Sequence, residues 1–365
     1  MRTWQRWLIV GLGLSVLLSL PSVLGALPAA DSDVSAEELL DQVRASAEVP
    51  FSGYAESVGG LLLPVTQDFT DLVDLFGERS RLRVWWRGTD DWRVDTLSAT
   101  GESDLFHRGG ATLMWEYEED RATLTSDHEI RLPRTTDLLP TELGRRLLSE
   151  ATADEVSRIP PIRVAGRDAP GLRVQPSDER TTVDRVDVWV DPSNGLPLRV
   201  QVYGDGSDAA ALTTTFLELT AAAPSESDTT FTTPLGSEFR FEDVIDVAAA
   251  ADEFAPAVAP DRLAGLDRRD DDATVGAVGA YGRGVTLLVA APIWDDISRP
   301  LRDQLEATPG ARIDAQGVYV SVGPLGLLLT PGSRQQRSWL VAGTVDSQTL
   351  SDAAAELVQI PVEDG

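Results

Sequence analysis

Apolar and polar positions alternate with a period of two through most of the first two thirds of the chain, which predicts strands rather than helices. Arg81-Leu82-Arg83-Val84-Trp85-Trp86-Arg87 shows it best, with Leu82, Val84 and Trp86 on one side and arginines on the other. Trp92 to Asp95 resumes the pattern after a turn, and Thr112 to Tyr117 pairs with Arg121 to Ser126 around Glu118-Glu119-Asp120. Phe51 to Leu63 reads as a strand loosened by Gly53, Gly59 and Gly60. Further strands are predicted at Ile162 to Val164, Ala169 to Gln175, Arg185 to Asp191, Pro197 to Tyr203 and Thr213 to Leu219. Asn194-Gly195 marks a hairpin between two of them. Helical spacing is rarer. Ser35 with Glu38 forms a capping-box signature ahead of Leu39, Leu40 and Val43, so a helix should run to Ala47 and stop before Pro50. Thr141 to Ala151 reads as a second capped helix, with Glu142 in its first turn. Phe69, Leu72, Val73, Leu75 and Phe76 make a short amphipathic stretch, either helix or structured loop. Many strands with few helices between them imply an α+β chain built on an antiparallel sheet, not βαβ units.

The pattern breaks between Ala248 and Asp272, which is rich in alanine, proline and charge. Beyond it Thr274 to Gly282, Gly284 to Ala291, Ala311 to Val322, Gly326 to Thr330 and Ser338 to Thr344 read as strands. Asp295 to Glu306 and Ser347 to Val358 read as helices. The expected organisation is therefore a leader at 1–30, a main domain at 31–247, a linker at 248–272 and a smaller α+β domain at 273–365. In the leader, Arg2 and Arg6 precede an uncharged run from Trp7 and small residues around Gly25, the layout of a secretory signal. Trp7 to Leu27 is also long enough to stay as a membrane anchor. Either way the folded part is expected outside the cytoplasm.

Charge and composition narrow the chemistry. Basic residues number 31 against 59 acidic ones, a net charge of −28, which argues against a nucleic-acid partner. All 31 basic residues are arginine, and Asn194 is the only asparagine, which fits a GC-rich coding sequence, while the net charge of −28 makes a salty or alkaline habitat the competing explanation. With no cysteine there is no disulfide, thiolate metal site, cysteine nucleophile or lipid-modified cysteine. The two histidines, His107 and His128, sit among charged residues and read as members of solvated loops rather than as metal ligands or bases. Carboxylates are so numerous that neighbouring pairs carry no signal, and the sequence marks none as held in an apolar site. Asp191 to Gly195 resembles the start of a calcium loop but lacks its later ligands, so a hairpin turn is expected there. Gly276 to Gly284 matches neither phosphate-loop nor dinucleotide spacing, and no nucleophile elbow is present. No enzyme, metal or cofactor is predicted.

What remains is apolar surface. Nine tryptophans are many for this chain, and Trp85, Trp86, Trp92 and Trp115 share one stretch of sheet. They fit either a sheet core stacked on the first helix or the lining of a pocket for an apolar ligand.

Ser35-Ala36-Glu37-Glu38-Leu39-Leu40, Phe51-Ser52-Gly53-Tyr54 and Leu62-Leu63-Pro64 resemble the opening of LolA-like lipoprotein carrier proteins of the actinobacterial type. The same regions resemble the N-terminal domain of RseB/MucB sigma-factor regulatory proteins. The likeness continues through Arg83 to Trp86, Gly101 to Asp104, Ala165 to Ala169, and Val188 to Val200, covering roughly residues 35 to 245. It implies an unclosed antiparallel barrel wrapped around helices, with a hydrophobic cavity for acyl chains and no catalytic residues. The positions it implies as inward are Leu82, Val84, Trp86, Val94, Trp115, Val188, Val200 and Val202 on the sheet, facing Leu39, Leu40 and Val43. Two functional expectations follow from the resemblance. One is a carrier or sensor of a lipid or lipoprotein acyl chain. The other is a regulatory protein docking on a membrane partner, an anti-sigma factor or a lipoprotein receptor.

Overall fold

The computed structural model describes residues 28–60, 79–97, 101–126, 134–241, 259–269, 278–293, 295–332 and 338–359. The leader, the amphipathic stretch at 69–76 and His128 lie outside the described residues.

Helix α1 (Ala36–Ala45) starts where the sequence predicts. The Ser35 hydroxyl accepts from the Glu38 N–H at 3.1 Å, Glu37 and Glu38 occupy the positive end, and Arg44 the negative one. Leu39, Leu40 and Val43 form its buried stripe. Strands then follow in order: β1 (Phe51–Gly59), β2 (Arg79–Gly88), β3 (Asp91–Leu97), β4 (Glu102–Arg108), β5 (Ala111–Glu116) and β6 (Arg121–Ser126). A 3-10 turn at Thr135–Leu138 leads into α2 (Pro140–Leu148), and β7 (Val156–Val164), β8 (Arg167–Val174), β9 (Val183–Val190), β10 (Pro197–Gly204) and β11 (Ala210–Thr220) complete the series. Helix α2 opens on Pro140 and has no side-chain cap, contrary to expectation: the N-cap position falls on Leu139, whose side chain has no acceptor, while Pro140 fixes the first turn.

These strands and β12 (Glu238–Phe241) form one twelve-stranded sheet in the order β12-β6-β5-β4-β3-β2-β1-β11-β10-β9-β8-β7. Every pairing is antiparallel except β12 on β6, and the end strands β12 and β7 do not meet. The sheet is therefore an unclosed half-barrel, and α1 and α2 pack on its inner face. That is the α+β architecture the sequence implied.

The rest of the chain builds a six-stranded sheet from β15 (Gly279–Arg283), β16 (Thr286–Ile293), β17 (Arg312–Asp314), β18 (Gly317–Val322), β19 (Leu325–Leu329) and β20 (Ser338–Gly343). Helices α3 (Asp295–Ala307) and α4 (Ser347–Leu357) accompany it. The single strand expected at 311–322 is a hairpin instead. Asp314 accepts from the N–H groups of Gln316 and Gly317 and turns the chain, and Gly317 takes φ 137°. A short hairpin, β13 (Arg262–Leu263) and β14 (Leu266–Asp267), buries Leu263 and Leu266 in the same core as Leu288, Val341 and Leu350.

The two units are fastened by polar contacts. Arg283 pairs with Glu155 at 2.5 Å, Arg269 pairs with Glu150 at 3.0 Å, and the Thr182 N–H donates to the Thr344 carbonyl at 3.0 Å.

Candidate functional site

The inner face of the half-barrel is the face that sequence and resemblance both single out. Register fixes which side chains share it, because residues opposite one another on antiparallel strands point the same way. One row runs Gly53, Val84, Val94, Leu105, Met114, and a parallel row runs Phe51, Trp86, Trp92, His107, Thr112. On the other arm Leu172, Val188, Val200 and Thr214 line up across β8 to β11.

Leu82, Val84, Trp86 and Val94 are buried in a cluster with Phe51, Phe216, Leu138 and Leu139. Val188 and Val200 are buried with Leu39, Leu40, Val43, Leu148 and Leu172, so α1 sits directly on that arm of the sheet. Val202 is half-buried and touches both clusters. Trp115 is different. It stands opposite Asp104, which stands opposite Asp95, and these lie on the face carrying Arg83 and Arg93. It therefore points outward, away from Val94, and packs with Phe106, Ala122 and Phe231. The inward placement of Trp115 is corrected by one residue of parity: β4 lies between the strands compared, and its polar sequence gave no strand signal.

Flat rings cross the inner face in a ladder. Phe51 stacks on Trp86 at 6.0 Å, Trp86 on Trp92 at 5.9 Å, and Trp92 on His107 at 5.0 Å. Two guanidiniums cap it, Arg145 over Trp86 at 5.7 Å and Arg134 over Trp92 at 5.2 Å. Burial lowers the pKa of Arg145 to about 10, against the nearby charge of Glu48. His107 is thus no loop residue. It is buried in β4, with Nδ1 3.2 Å from the Thr112 hydroxyl, and only the unpredicted strand concealed this.

The outer face holds the charge. Arg93 bonds Asp95 at 2.6 Å and Asp104 at 2.7 Å, and oxygens of Asp95, Asp104 and Glu102 lie within 4.8 Å of one another. Burial pushes the Asp95 carboxyl up to about 7 despite Arg93, and raises Asp104 as well. Buried carboxylates in a shifted state are what the sequence gave no sign of. With the Arg93 guanidinium already bonded to both aspartates, the cluster is an ion-paired one rather than an obvious metal cage. At the β9–β10 turn Asp191 spends its oxygens on the Ser193 N–H and hydroxyl and on Arg167, which is turn chemistry as expected. Among the described residues no helix is long and apolar enough to cross a membrane.

No family model matches the sequence, and no curated protein matches it. Among solved structures the chain is similar to MucB in complex with MucA(peri), at 18% identity over 90% of this chain and 100% of that one, with a TM-score of 0.49. The Pseudomonas aeruginosa MucA/MucB complex is similar at 17% identity, 90% and 99% coverage and a TM-score of 0.49. A LolA-superfamily protein from Nitrosomonas europaea is similar at 11% identity, 54% and 98% coverage and a TM-score of 0.27. These structures belong to the two groups named in the reading of residues 35–245.

Proposed function

We propose that this chain is a non-enzymatic extracytoplasmic protein that holds the acyl chain of a lipid or lipoprotein against the inner face of its half-barrel, as carrier or sensor. One observation carries the reading. In the row Val84, Val94, Leu105, Met114 the first two side chains are essentially fully buried, whereas Leu105 and Met114 are only half-buried. The apolar row is less covered on β4 and β5 than on β2 and β3, and that is where the alkyl chain is placed in this reading. Leu82, Val84, Trp86 and Val94, with Val188, Val200 and Val202 and the α1 residues Leu39, Leu40 and Val43, then form the packed wall beside it. An alkyl chain laid there gains about 0.8 kcal/mol per methylene taken out of water, so few polar contacts are needed.

Native mass spectrometry of gently purified protein should show a bound lipid, and a fluorescent fatty acid should bind to stripped protein. Leu105→Glu and Met114→Glu should each weaken that binding at least about tenfold, the cost of a carboxylate in an apolar contact. Protein that arrives empty and ignores the fatty acid overturns the reading. A regulatory role, docking on a membrane anti-sigma factor, is favoured by one separate feature. The edge strand β12 is exposed along its length, with Phe239 and Phe241 stacked edge to face at 5.1 Å. Capture of such a partner from membranes by wild type but not by Phe241→Ser would support it.

A further inference from the structure

The opposite, outer face of the same sheet carries a hollow of about 440 Å³. It opens where the β1–β11 register shifts between Tyr54 and Ala55, a bulge of the kind that re-aims side chains. Tyr54 stands on its floor, between Arg83 on β2 and Glu218 on β11. Trp85, Leu97 and Thr220 are among the other lining residues.

The polar groups of this hollow are largely unspent. Arg83 is half exposed and its ion pair, to Glu102, is loose at 3.8 Å. Glu218 is exposed and forms no ion pair with another described residue. The Trp85 ring, by contrast, is held. Arg93 lies over the Trp85 ring at 4.9 Å and is itself locked by the buried Asp95 and Asp104. Trp85 is therefore a positioned platform, which spares a ligand the entropy of ordering it.

These features select a chemistry. Tyr54, and the side of the Trp85 ring that Arg93 does not cover, offer half-buried apolar surface to the C–H face of a sugar ring. A planar donor fork and a planar acceptor on either side match pairs of neighbouring hydroxyls. With Arg83 shared between Glu102 and Glu218 the hollow carries no excess positive charge, and the −28 of the whole chain disfavours a polyanion, so the guest is taken as neutral. A shallow, mixed surface is unsuited to an alkyl chain, which gains only from apolar contact.

We propose that this outer hollow binds a neutral oligosaccharide, stacked on Tyr54 and Trp85 and hydrogen-bonded by Arg83 and Glu218. The site is independent of the acyl-chain reading, since it lies on the other face.

Titration of the full chain with maltotriose and with N,N′,N″-triacetylchitotriose, by calorimetry and tryptophan fluorescence, tests it. At least one trisaccharide should bind with a Kd of about 1 mM or tighter. Trp85→Ala and Arg83→Ala should weaken it at least tenfold, and Leu105→Glu should leave it unchanged. Should Trp85→Ala fail to fold, Tyr54→Ala and Glu218→Gln carry the same comparison. Absence of binding by both sugars, or an affinity indifferent to these substitutions, overturns the proposal.

Discussion

Asp95 and Asp104 stand side by side on β3 and β4 and share one guanidinium, Arg93. One oxygen of Asp104 is buried without a hydrogen-bond partner, which a proton on the neighbouring carboxyl would supply. Because folding raises the Asp95 carboxyl from its ordinary 3.8 to about 7, its contribution is complete below 3.8 and is lost as pH rises through 7. Glu155 behaves in the opposite sense. Burial alone would raise its pKa, but bonds from Arg283 and Ser177 outweigh burial and hold it at about 2. Its contribution is present above 4.5 and is lost as pH falls through 2. Between them the two groups place maximal stability near pH 4 to 5, and melting temperature should fall from pH 5 to pH 8. Asp95→Asn should flatten that decline, and an unchanged slope would show that the proton resides elsewhere.

At the scale of elements, the β9–β10 hairpin is a structural strut as well as a turn. Gly195 takes φ 76°, and a side chain there would run into the Gln42 carbonyl on α1. Gly195→Ala should therefore cost more than about 1 kcal/mol in urea denaturation, beyond the strain of a left-handed alanine alone. Ser35→Ala, which removes only a cap, should cost about 1 kcal/mol. The turn and the cap were legible in the sequence, as were the strands β2, β9 and β10, since turn and cap chemistry and alternation are local, whereas the approach of Gly195 to Gln42 was not. What escaped was non-local. Glu102 to Arg108 lacks clean alternation because Asp104 and Phe106 on one side answer to Arg93, while Leu105 and His107 on the other answer to Val94 and Trp92. Missing that strand hid the burial of His107 and reversed Trp115. The less covered end of the apolar row and the outer hollow were hidden for the same reason, because each is assembled from strands distant in sequence.

For the whole molecule, the contact between the two units combines Val285, buried among Leu39, Val43 and Leu148, with backbone bonds around Thr182 and a polar cluster. Glu155 is nearly buried and accepts from Arg283, from the Thr152 N–H and from both donors of Ser177, while the Glu150 side chain receives Arg269 and the Gly284 N–H. Arg283→Ala leaves Glu155 short of its cation and should loosen the contact, read as faster limited proteolysis of the full chain with the melting of each sheet retained. Equal cleavage rates in the variant and the wild type would mean that the remaining contacts between the units suffice. The sheet order has a further consequence, for how the chain is made. Strand β1 takes β11 as one of its neighbours, so the two arms of the half-barrel join along a seam between the earliest and the latest of its long strands. A nascent chain that has emerged only to residue 205 owns β1 to β10 yet has nothing to join strand β1 to strand β10. It must keep that flank of β1 bare until β11 arrives, which makes Ala210–Thr220 the segment whose delivery sets the pace of assembly.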